Sequence, residues 1–256
     1  MPLAFAETHH VTLRAQLPEA TCALVAGALE KLAGHLEEAT LTTVLCQTRP
    51  ATHELVLLTD QQGWTVHRQG AGLAQGAGFA GPHLRRGDGD ERHKQVAMVV
   101  QGMTAPAENT ALFRMGRMFM AEATDGKAPA WLLEGFAAYC ENSVTRKNLN
   151  YPMTNAADAI RPGENWDSGL KRLAGQGKLP QLEHLFALSR HNMTPTEYAA
   201  AYSLVTFLFK ANPRAFARYV LEVRGGVSSA GALERIYGRN AKEMQTIWAR
   251  WASGSH

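Results

Sequence analysis

The chain has 256 residues, of which 45% are hydrophobic and 19% charged, and its formal net charge is +3. This length can bury one good core, and this composition is that of a folded globular protein rather than a disordered one. The sequence has no apolar run of about 18 residues, so it predicts no transmembrane segment. It has no Lys/Arg block interleaved with aromatic residues, so it predicts no nucleic-acid partner.

The N-terminal part of the chain alternates between strand-like and helical patterns. Helical spacing of apolar residues, opened by Pro18 and Glu19, predicts a helix that runs to about Leu36. The glycine-rich stretch 63–81 predicts a loop that contains a short strand at 64–66. Short runs of apolar and β-branched residues predict strands at 10–14, 41–47, 54–59 and 95–100.

From residue 107 onward the pattern is helical and is interrupted by Pro, Gly or Asn. Helices are predicted at 108–122, 129–141, 163–175, 181–188, 195–211, 213–224, 229–237 and 241–251. The expected fold class is therefore α+β. We expect one domain over 8–252, with an α+β lobe (8–106), a mainly helical lobe (107–252) and a cleft between them. Residues 1–7 and 253–256 are expected to be chain ends outside this domain.

The first residues bear on the cellular location. Leu3-Ala4-Phe5-Ala6 has the small-x-small pattern that ends a secretory signal peptide, without the charged and apolar segments that precede it. We therefore expect a periplasmic or secreted protein, with the cytoplasm as the alternative. Cys22, Cys46 and Cys140 allow at most one internal disulfide, and their spacing is not that of a metal knuckle, so buried free thiols are expected.

The most informative segment runs from Ala130 to Glu141 and has the sequence AWLLEGFAAYCE. Glu134, followed by Gly135, lies on an otherwise apolar predicted helix. A buried carboxylate must be paired or must bind a metal ion. On composition alone a structural ion pair is the commoner outcome.

This segment resembles the Trp-Leu-x-Glu-Gly-x-Ala-x-Tyr element of gluzincins, the thermolysin-like or peptidase-MA-like proteins, and in particular an uncharacterised bacterial group of them. The stretch 198–208, YAAAYSLVTFL, is similar to a Tyr-x-x-Ser-Tyr-x-x-Val helix of the same family. The resemblance covers about residues 8–252 and implies a zincin-like fold. It places Glu134 at the position of the third zinc ligand.

The family carries His-Glu-x-x-His on the preceding helix, where two histidines four residues apart bind Zn²⁺ and the Glu is the general base. In the matching stretch, the resemblance puts Arg114 and Met118 at the histidine positions and Met115 at the base. Arginine does not bind zinc, a thioether is a poor zinc ligand, and methionine accepts no proton. The interval from Met118 to Glu134 is slightly short for the family. We expect no zinc, and hypothesise that Arg114 occupies the metal's place and pairs with Glu134.

Two further groups of residues leave alternatives open. Met103, Met115, Met118 and Met120 form either a soft thioether cluster for Cu(I) or a filler of the helical core. Tyr198 and Tyr202, one helical turn apart, either steady an oxyanion or pack in the core with a bonded hydroxyl.

These features predict a catalytically inactive metallopeptidase-like protein, a pseudopeptidase that needs no cofactor and binds a polypeptide or protein partner through its cleft or surface. One alternative is an active peptidase or other hydrolase of the peptidase-MA-like family that uses an unrecognised site, for which Glu134 and a tyrosine are candidates. Another is a structural subunit of a larger assembly. The sequence specifies neither the partner nor the oligomeric state.

Overall fold

The computed structural model describes residues 3–38, 53–58, 94–99, 106–150, 160 and 165–254. The predicted strand at 41–47 and the predicted loop at 63–81 lie outside these residues. The α+β class is confirmed, because a small sheet formed near the N-terminus is followed by a series of helices.

Four strands form the sheet, in the order β1 (Ala4–Glu7), β2 (Val11–Ala15), β3 (His53–Leu58) and β4 (Lys94–Val99). β1 is antiparallel to β2, whereas β2, β3 and β4 run parallel. The strands predicted at 10–14, 54–59 and 95–100 are therefore confirmed to within one residue at each end. β3 buries four consecutive apolar residues, 55–58, as expected of a strand covered on both faces.

The interpretation of the first residues as a chain end outside the domain was wrong. Ala4–Glu7 pairs with β2, with Ala4 opposite Ala15 and Glu7 opposite Thr12. Alanine has little strand propensity, so the pattern of this segment does not reveal a strand. It is pairing with the neighbouring strand that holds it in the sheet.

Helix α1 (Glu19–Glu38) confirms the predicted N-terminal helix and packs against β1 and β2. His10 fastens the start of β2 to this helix. Its Nδ1 lies 2.8 Å from Glu30 Oε1, and its Nε2 lies 2.8 Å from Glu37 Oε1. Burial alone would lower the pKa of His10, but the hydrogen bonds and charges of the two glutamates outweigh it and raise that pKa.

The remaining helices confirm the predicted series with small shifts of their ends. They are α2 (Ala107–Ala123), α3 (Ala130–Thr145), α4 (Trp166–Gly175), α5 (Leu182–Ala187), α6 (Pro195–Ala211), α7 (Pro213–Arg224), α8 (Ser229–Tyr237) and α9 (Ala241–Ser253). A short 3₁₀ helix, Arg190–Asn192, connects α5 to α6. None of the helices in the described part of the chain combines the length and apolar character that crossing a bilayer requires.

Helix α3 lies at the centre of the molecule, between α2 and α6. Buried residues of the sheet, of α1 and of the C-terminal helices belong to one continuous hydrophobic core. Two indoles are anchored in it by hydrogen bonds, since Trp131 Nε1 donates to Ser229 Oγ at 3.0 Å and Trp248 Nε1 donates to Ser203 Oγ at 3.1 Å. Cys22 and Cys140 are buried free thiols, as expected.

Candidate functional site around Glu134

Glu134 sits in the second turn of α3 with its side chain completely buried. The helix begins after Pro129. Gly135, which directly follows Glu134, allows α3 to pack very closely against α6. A Cβ atom at Gly135 would lie 2.5 Å from the carbonyl oxygen of Ala201. This helix contact therefore holds the carboxylate in the interior, where it needs a partner.

Two guanidinium groups supply that partner. Arg117 Nε, on α2, lies 3.2 Å from Glu134 Oε1, and Arg190 Nε, in the 3₁₀ helix, lies 3.0 Å from the same oxygen. The side chain of Arg117 is only 8% exposed, whereas that of Arg190 is 43% exposed. The result is a buried ion cluster with one solvent-facing member.

Arg117 and Arg190 thus make two ion pairs with Glu134 that the sequence did not predict. The pairing of Arg114 with Glu134 stays a prediction. Arg114 is half-buried nearby, and its pKa is lowered to about 10 by burial and then by the positive charges of Arg117 and Arg190, which Glu134 partly offsets. Arg114 and Arg117 point towards the same region, because residues three apart share one face of a helix. Met118, the residue after Arg117, is rotated by roughly 100° about the helix axis and points elsewhere.

The methionines at the expected site lie in the hydrophobic core. Met115, Met118 and Met120 are all buried among apolar neighbours, whereas Met103 lies outside the described residues. Their placement is that of adaptable core residues. Binding of Cu(I) stays a hypothesis.

The two tyrosines on α6 face different surroundings. Tyr198 is buried close to the ion cluster: burial and the negative charge of Glu134 raise its pKa, while the charges of Arg190 and Arg117 act in the opposite direction. Tyr202 packs edge-on against Trp166, with ring centroids 5.7 Å apart. The structure thus brings Glu134, Arg114 and Tyr198 together, and adds Arg117 and Arg190, which the sequence did not single out.

A second buried carboxylate, Glu141, lies two turns further along α3. Its Oε1 accepts hydrogen bonds of 2.9 Å from Asn109 Nδ2, from the backbone N–H of Leu149 and from Asn150 Nδ2. All three donors are neutral. Burial raises the pKa of Glu141 from 4.5 to about 7, because the hydrogen bonds offset only part of the desolvation.

This raised pKa predicts a pH-dependent stability. A carboxyl that binds its proton more tightly in the folded than in the unfolded chain stabilises the fold fully below the unfolded pKa. The free energy of unfolding should therefore fall as pH rises from about 4.5 to about 7, by on the order of 3 kcal/mol for a shift of this size. Urea denaturation across this range should show the decrease, and Glu141→Gln should remove most of it.

The matched control is Glu234→Gln, which removes a carboxylate from an exposed position of α8. It should leave the decrease between pH 4.5 and 7 in place. If Glu141→Gln and Glu234→Gln give the same pH profile, burial does not raise the pKa of Glu141.

The residues around Glu134 do not fit a divalent metal ion, since its Oε1 already faces two cationic side chains. In the described ranges, no three His, Cys, Asp or Glu side chains are grouped closely enough to hold such an ion. In comparisons with known proteins, the chain matches no family model and no curated protein.

Proposed function

We propose that this protein is a catalytically inactive, zincin-like domain of the gluzincin type that binds a polypeptide partner. The observation that carries the proposal is the completely buried Glu134 with Arg117 and Arg190 on one of its oxygens. This glutamate stands at the position that the family resemblance gives to the third zinc ligand. Guanidinium groups supply the positive charge there that a metal ion would supply in an active relative.

The charges around Glu134 support the loss of catalysis. Activation of water by zinc needs open coordination positions and a nearby general base. A dication placed at Glu134 would meet the positive charges of Arg117 and Arg190, with Arg114 close to both. Arginine stays protonated at physiological pH and cannot serve as the base.

The pairing partner of Glu134 also moves the proposed alignment by one residue. If Arg117 stands at the second histidine position, then Phe113 stands at the first and Arg114 at the general base. This shift lengthens the interval before Glu134 by one residue, which is the direction that the short spacing required. Phe113 is buried in the core, as an inward-facing residue of α2 should be.

The binding part of the proposal follows from what remains when the reaction is lost. A peptidase fold has a surface shaped to hold an extended polypeptide, and this surface remains when the catalytic residues are lost. Arg190 is the member of the ion pairs at Glu134 that reaches the protein surface, because nearly half of its side chain is exposed. A partner can therefore contact the cluster from this side.

Restoring the metal site tests the proposal and its alignment. The variant Phe113→His/Arg114→Glu/Arg117→His/Arg190→Gln removes the competing cations and supplies two imidazoles four residues apart on α2. We expect it to bind about one zinc ion per chain, measured by elemental analysis after dialysis, whereas the wild-type chain should bind none and cleave no peptide.

The matched control places the same residue types in the other register, as Arg114→His/Met115→Glu/Met118→His/Arg190→Gln. It should not bind zinc with Glu134, because Arg117 remains on that carboxylate. Stoichiometric zinc in the wild-type chain together with peptide cleavage would establish the alternative, an active hydrolase. If only the control bound zinc, the first alignment, with Arg114 and Met118 at the two histidine positions, would be the correct one.

A further inference from the structure

The ion cluster around Glu134 carries more positive than negative charge. Arg117 and Arg190 both approach Oε1 of one carboxylate, which leaves one positive charge uncompensated within this trio. Burial, and then the positive charges of Arg117 and Arg190, lower the pKa of the neighbouring Arg114. Excess positive charge in a site that is only partly solvated favours the binding of an anion.

The cluster also contains buried polar atoms without hydrogen-bond partners. Both arginines reach Glu134 through Nε, and within the described residues Nη1 of Arg117 finds no acceptor although its side chain is more than nine-tenths buried. Oε2 of Glu134 likewise receives no hydrogen bond from the described residues. A ligand that satisfies both atoms must accept a hydrogen bond and also donate one.

The exposed fraction of Arg190 marks the side from which such a ligand would approach. Arg190 belongs to the short 3₁₀ helix between α5 and α6, and 43% of its side chain is in contact with solvent. Arg117 and Glu134 lie beneath it in the interior. A ligand that approaches from this side therefore meets Arg190 first.

We propose that the cluster of Arg117, Arg190 and Glu134 binds the C-terminal residue of a polypeptide. The terminal carboxylate accepts hydrogen bonds from the two guanidinium groups and balances their excess charge, as carboxylates do with arginine elsewhere. The amide N–H of the same residue donates to Glu134 Oε2. An internal Asp or Glu side chain offers the carboxylate without a backbone amide at the same spacing. This inference rests on the proposed function and names the part of the partner that the site recognises.

The test uses the full-length chain labelled with ¹⁵N-arginine and three N-acetylated peptides. The first is tetra-alanine with a free C-terminal carboxylate, the second is its C-terminal amide, and the third is an amidated peptide with one internal Glu. We expect the free acid to shift the Nε–H resonances of Arg117 and Arg190. It should bind about ten- to a hundredfold more tightly than either amide, since a hydrogen-bonded charge is lost.

Arg190→Gln should weaken binding of the free acid by a similar factor. The matched control is Arg235→Gln, which removes an exposed arginine that pairs with Glu222 at 2.9 Å on the surface. It should leave the affinity unchanged. Equal binding of all three peptides, or no shift at Arg117 and Arg190 with the free acid, would overturn the inference.

The same samples separate this inference from the proposed function. Equal binding of free acid and amides would remove the C-terminal specificity and leave polypeptide binding intact. Cleavage of the peptides during the titration, detected by mass spectrometry, would instead contradict the inactive, peptide-binding function.

Discussion

Arg117→Met should lower the free energy of unfolding by about 3 kcal/mol or more, in the range of broken buried ion pairs. The substitution keeps most of the apolar stem but removes the buried guanidinium that lies 3.2 Å from Glu134 Oε1. The carboxylate then retains Arg190, whose side chain is 43% exposed and therefore screened by solvent. Urea denaturation monitored by circular dichroism measures the change.

Two further variants show that this cost arises from the buried charge. Arg235→Met breaks an exposed ion pair with Glu222 and should cost at most about 1 kcal/mol. Arg117→Met/Glu134→Met removes both charges and should recover much of the stability, because an apolar pair of similar volume often replaces a buried ion pair without loss. The idea of a buried ion pair at Glu134 would be wrong if Arg117→Met cost no more than Arg235→Met.

Gly135→Ala should destabilise the protein by about 1–3 kcal/mol, the usual cost of overpacking, or by more. The added Cβ would lie 2.5 Å from the carbonyl oxygen and 2.7 Å from the carbonyl carbon of Ala201. Both are backbone atoms of α6, so relief requires the two helices to separate. The gain in helix propensity from glycine to alanine, about 1 kcal/mol, does not offset this.

Gly27→Ala in α1 is the matched control. A Cβ at Gly27 meets no atom within 4 Å, so the substitution should raise the free energy of unfolding by roughly 0.5–1 kcal/mol through helix propensity alone. Thermal and urea denaturation of the two variants measure the contrast. If Gly135→Ala were as stable as Gly27→Ala, the close approach of α3 and α6 would not exist in solution.

Much of the helical part could be predicted because its signals are local. The helix predicted at 195–211 matches α6, and a capping box between Thr194 and Glu197 marks its start. A second capping box, between Asn240 and Glu243, begins α9. Such signals involve only residues within one or two turns of each other, so they can be recognised in a single sequence.

The apolar composition of the predicted helix at 129–141 also indicated that Glu134 is a special residue. Glu134 on an apolar helix required a partner in any fold, because an unpaired buried charge is too costly. The sequence thus indicated that Glu134 needs either a pairing group or a metal ion, without specifying which. The family resemblance favoured an arginine at position 114, although the interval before Glu134 is slightly short for the family.

Only the tertiary structure decided which arginines meet this carboxylate. Arg117 lies one turn from the expected position on α2, and Arg190 comes from a 3₁₀ helix that no pattern connects to α3. Glu141 was likewise marked by no motif, because its raised pKa depends on burial against α2 and the segment after α3. Burial and charge pairing are properties of helix packing, and packing brings together residues whose distance along the chain carries no signal of their contact.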